Sequence, residues 1–112
     1  MEVVPKDAEE STEAVEGVHL SLLAGDERMN VQHFDIEPGA EVPEHSHDNE
    51  QTGYITRGTL TFIVGGEEID VSAGDSYAVP ADEPHAAENR GDVPVEGVDI
   101  FSPPRTNPDW QD

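Results

Sequence analysis

Turn signals recur so often along this chain that it has little room for anything but short strands. VHLSLLA (18–24) ends at Gly25-Asp26, and MNVQHFDI (29–36) ends at Pro38-Gly39. EVPEHSH (41–47) meets Asp48-Asn49, and QTGYIT (51–56) meets Arg57-Gly58. TLTFIV (59–64) and EEIDVS (67–72) flank Gly65-Gly66, the two-residue connection that a tight hairpin prefers. SYAVP (76–80), HAAEN (85–89) and VEGVDIF (95–101) complete the series, and Pro103-Pro104 ends it. No stretch carries a convincing helical period, so the expected class is all-β, a sandwich or barrel.

A chain of 112 residues makes one domain, since two independent cores do not fit in this length. With 34% hydrophobic residues and a net charge of −21, composition alone points toward disorder. The acidic residues are spread from Glu2 to Asp112 rather than blocked into a tail, and the β pattern persists between them, so a folded domain is expected. Lys6 is the only lysine, and the balance resembles that of salt-adapted proteins whose self-repulsion is screened by concentrated salt. The fold is therefore expected to loosen in low salt.

Such a charge argues against nucleic acid or an anionic membrane as partner, because both need Lys and Arg to meet phosphates. The absence of Cys excludes disulfides, thiolate metal sites and thiol nucleophiles. Residues 1–16 have neither the basic start nor the apolar stretch of a secretory signal, and read as an acidic arm or a poorly specified first strand. No apolar run approaches a membrane span, so the expectation is a soluble, cytoplasmic protein.

The chemistry lies in unevenly placed histidines. His45 and His47 stand two apart in a β-patterned segment, which puts both imidazoles on one face of a strand. Gln51 opens the next strand, where its amide oxygen could reach the same point, and His85 could supply a third nitrogen. Neutral imidazoles suit a divalent transition ion such as zinc, nickel, iron, manganese or copper. A neutral Gln oxygen leaves such a site more positive and favours anionic ligands. An isolated His-x-His is more often surface decoration than a ligand pair, so spacing decides. His19 and His33 read as partly exposed sheet residues and not as ligands.

Gly39, five residues, His45-x-His47, three residues, Gln51, six residues and Gly58 reproduce the layout of the first cupin motif, with Gln51 where Glu is usual. Gly74, five residues, Pro80, then His85 and three residues to Asn89 match the second, with Asp82 where a Gly is expected. Over residues 17–105 the chain resembles a single-domain cupin, a small jelly-roll barrel, leaving 106–112 as a C-terminal tail. That resemblance implies His45, His47, Gln51 and His85 as ligands of one divalent metal, and a homodimer paired through its sheets.

HSHDNEQTGYITRG (45–58) and DIFSPPRTNPDW (99–110) are similar to segments of the small pectin-degradation cupins of the KdgF type. In that family Gln is the usual fourth ligand and an Asp-x-Phe-x-x-x-Arg arrangement ends the last core strand. The resemblance implies linearisation of 4,5-unsaturated monouronates, small sugar acids released from pectin or alginate. Asp99 would move the proton, Arg105 would bind the uronate carboxylate, and Phe101 would pack on the sugar. The plainer alternatives are a solvated Asp99, a surface-paired Arg105 and an ordinary core Phe101. At the level of function, the alternatives are a cupin dioxygenase with iron or copper and a non-catalytic sugar- or effector-binding cupin.

Overall fold

The computed structural model describes residues 1–8 and 11–106. After one turn of 3-10 helix at Lys6–Ala8, ten strands follow: β1 Thr12–Val15, β2 Val18–Gly25, β3 Asn30–Ile36, β4 Glu41–His45 and β5 Glu50–Arg57, then β6 Thr59–Val64, β7 Glu67–Ser72, β8 Ser76–Val79, β9 His85–Glu88 and β10 Val95–Ser102. All pairings are antiparallel. A six-stranded sheet in the order β1-β2-β3-β10-β5-β8 faces a four-stranded sheet β4-β9-β6-β7, and the two close as a jelly roll.

Alternation produces this closure. Along β3 the burial alternates through all seven residues, so Phe34 and Ile36 point inward while His33 and Asp35 lie on the outer face. β5 and β10 alternate likewise, placing Ile55, Val95 and Phe101 in the interior. Ile55 and Val95, with Val18 from β2 and Leu60 and Phe62 from β6, form the packed part of the core. Burying one such side chain contributes about 1.5–3 kcal/mol. The hairpin at Gly65-Gly66 forms as expected, with both residues at positive φ (58° and 82°), a conformation that suits glycine and matches the strand twist.

Within residues 1–16, β1 pairs with the edge of β2, but its outer half is exposed, which is why no clean alternation marks it in the sequence. Beyond Thr106 the expected C-terminal tail lies outside the described residues. One local expectation is corrected: β4 ends at His45, so His47 lies two residues past the strand, just before the bend at Asp48-Asn49. Among the described residues no helix is long and apolar enough to cross a membrane.

Candidate metal centre and active site

The register of the six-stranded sheet lines up two inward rows. Asn30, Phe101, Gln51 and Val79 lie side by side on β3, β10, β5 and β8, and Gln32, Asp99, Gly53 and Tyr77 form the next row. The opposite sheet contributes His45 and His85, which are directly paired across β4 and β9. His47 reaches the same point from just beyond β4, where Asp82 N–H donates to the His47 carbonyl at 2.7 Å. Asp82 has φ 66°, so the position where a cupin motif expects Gly does take the left-handed conformation. Asp tolerates it better than most side chains.

His45, His47 and His85 converge so that one ligand atom from each lies within 4.8 Å of the others. Each ring is tethered in the same way. Nδ1 of His45 is 2.8 Å from the Pro43 carbonyl, Nδ1 of His47 is 3.0 Å from that of Asn49, and Nδ1 of His85 is 2.8 Å from that of Glu83. Carbonyls only accept, so each Nδ1 carries the proton and each Nε2 is left with a lone pair. Burial holds the His45 imidazolium down to about 4, with His85 and Arg105 adding to the effect. The same burial, with the nearby Arg105 charge, lowers His47. Neutral rings with fixed tautomers are what a transition ion requires.

Gln51 Oε1 lies 3.1 Å from Nε2 of His47. With Nδ1 donating, both atoms are acceptors, and a cation between them would relieve their repulsion. Gln51 also helps to hold the Asp99 carboxylate in its charged form. This donor set of three tethered imidazoles and one amide oxygen fits a divalent transition ion.

A cavity opens beside the histidines. Most of its wall is apolar, and its polar groups are concentrated in His45, His85, Gln51, Gln32, Asp99 and Arg105. Asp99, Phe101 and Arg105 are 8%, 1% and 7% exposed, so a solvated Asp99 and a surface-paired Arg105 are both overturned. Burial pushes the Asp99 carboxyl up to about 6, against the pull of hydrogen bonds from Tyr77 and Gln51 and of the Arg105 charge. Phe101 meets the His47 ring edge-on at 5.6 Å, and the Arg105 guanidinium carbon is 5.6 Å from the Phe101 ring centre.

Three anchoring residues escaped the sequence reading. The Asn30 side chain accepts from the Arg105 N–H at 2.7 Å and donates to the Arg105 carbonyl at 3.4 Å. Asn49 donates to the carbonyls of Pro103 (2.6 Å) and Pro104 (3.4 Å), so two buried amides fix the segment that carries Arg105. The Tyr77 hydroxyl donates to Oδ1 of Asp99. The signal available for the last was an isolated glycine inside a strand, Gly53, which marks a close approach.

A jelly roll with three histidines converging between its sheets defines a small cupin-type protein. The sequence profile of the Cupin domain matches residues 32–101, and the chain belongs to that family. It is 38% identical over 69 residues to the H2HPP isomerase of Bacillus subtilis, covering 62% of this chain and 29% of that protein. It is 33% identical over 78 residues to the tetracenomycin polyketide synthase protein TcmJ of Streptomyces glaucescens, covering 69% of this chain and 52% of that one. The chain thus spans about half or less of the length of these two relatives. Its fold superposes on KdgF from Halomonas sp. with a TM-score of 0.84 at 23% identity, over 93% of this chain and 96% of that one.

Proposed function

We propose that this cupin is a metal-dependent isomerase that linearises 4,5-unsaturated monouronates. The observation carrying this reading is that Asp99, Phe101 and Arg105, spaced as in the KdgF-type cupins, are all buried around the cavity that adjoins the three histidines. The isomerase name of the Bacillus subtilis relative supports isomerisation over oxidation. A divalent ion held by His45, His47, His85 and Gln51 would supply a positive centre that binds and polarises a sugar oxygen.

Opening the ring breaks the C1–O5 bond of the sugar. The O1 proton leaves as C1 becomes an aldehyde, and C4 gains a proton as C5 becomes a ketone. No oxidant or water enters the balance. Asp99 is the residue for this transfer, because a buried carboxyl near 6 is available in either protonation state close to neutrality. Arg105 pairs with the uronate carboxylate, for which a planar guanidinium offers two parallel hydrogen bonds. Phe101 walls the Arg105 side of the site with an apolar ring and excludes water there.

The test is turnover of freshly generated 4,5-unsaturated galacturonate in molar KCl, followed by loss of its enol-ether absorbance with an oxygen electrode in the same cell. Accelerated loss without oxygen uptake is expected. Oxygen consumption, or no acceleration by protein with metal bound, would overturn the assignment.

A further inference from the structure

We propose that Tyr77 is the positioning residue for Asp99, and that it can act only because the strand between them carries glycine. Asp99, Gly53 and Tyr77 occupy one row across β10, β5 and β8. Next-nearest strands of a sheet lie roughly 9–10 Å apart, too far for a direct side-chain bond in an ordinary row. At position 53 there is no side chain, and the phenol ring lies across the gap. A Cβ on Gly53 would overlap the Tyr77 ring and hydroxyl. The ring is backed by Phe62 of the facing sheet, with centroids 4.8 Å apart, and its hydroxyl reaches Oδ1 of Asp99.

Such an arrangement does what a catalytic carboxylate needs. A buried Asp has two free dihedrals, and an oxygen that rotates away from the substrate is lost to catalysis. The Tyr77 hydroxyl holds the group in one orientation. Tyr77 stays a neutral donor throughout, since burial and the adjacent carboxylate push its own titration upward, far from neutrality. Backbone conformation does not demand glycine at position 53, whose φ is not in the left-handed region, so the room it leaves for the phenol ring is what glycine contributes there. The catalytic part of this proposal rests on the uronate reading above; the geometric part does not.

Two measurements separate the parts. In uronate turnover, Tyr77→Phe keeps the ring packing on Phe62 and removes only the hydroxyl. It is expected to lower kcat roughly tenfold with KM within about twofold, the loss of one hydrogen bond to a charged group. Gly53→Ala, which displaces the ring, is expected to lower kcat at least as far. An unchanged kcat in Tyr77→Phe, or a parallel rise in KM, would overturn the positioning role. The second measurement needs no substrate. In zinc-loaded protein carrying carboxyl-labelled Asp, the Asp99 carbon resonance is expected to move in Tyr77→Phe and to stay put in Tyr54→Phe, whose ring lies on the exposed outer face of β5. An Asp99 resonance that ignores Tyr77→Phe would sink the proposal even if uronate is turned over. A resonance that moves while wild-type protein leaves uronate untouched would uphold the hydrogen bond and discard the uronate assignment.

Discussion

Among the described residues, two groups bring three ligating side chains within 4.8 Å of one another: His45, His47 and His85 between the sheets, and Glu13, His19 and Glu37 near the β1 edge. Proximity does not distinguish them; surroundings do. Each inner ring has Nδ1 tied to a backbone carbonyl and faces a cavity. In the outer group the potential ligands are already used. Nε2 of His19 pairs with Glu37 at 2.6 Å, and Glu13 accepts from the Gly17 N–H at 2.8 Å. His45 and His47 are driven toward neutrality by burial, whereas the Glu37 hydrogen bond raises His19 and favours its charged form. At the outer group a metal would have to displace an existing ion pair.

The largest effect should come from breaking the inner group. His85→Ala is expected to lose turnover to below detection, and chelator is expected to lower the melting temperature of the wild type by about 5–10 °C while leaving this variant unmoved. Asp99→Asn comes next. It should retain metal and fold yet lose turnover by about 10²-fold or more, the usual worth of a positioned acid or base. Arg105→Ala should raise KM about tenfold with a smaller change in kcat, seen in initial rates across uronate concentrations.

The smallest effect belongs to the outer group. Because the folded pKa of His19 is raised above 6.5, its pairing stabilises the fold fully below that pH and is lost as pH rises through the raised value. His19→Gln should therefore cost less than about 1 kcal/mol near pH 5.5, and the difference from wild type should shrink by pH 8 in denaturant titrations.

Much of this was legible from the residues because turns and alternation are local properties. The hairpin at Gly65-Gly66 and the strands on either side of it form over the expected residues, and Asp99 and Phe101 share the parity that sends both inward. The ligand spacing brings His45, His47 and His85 together, although β4 stops two residues short of His47. What stayed hidden depends on pairing between distant segments. Tyr77 can be matched to Asp99 only once β5 is known to lie between β8 and β10. Asn30 and Asn49 look like turn residues until they are found holding Arg105 and the two prolines, 75 and 54 residues away. The backbone that carries Arg105 is thus held by segments far from it in the sequence.

Metal content of three purified proteins, measured after dialysis in molar KCl, tests the central distinction most directly. Wild type and His19→Gln are expected to carry about one divalent ion per chain and His47→Ala close to none. Retention of the ion by His47→Ala, or its loss from His19→Gln, would show that the inner histidines are not the centre on which this chemistry depends.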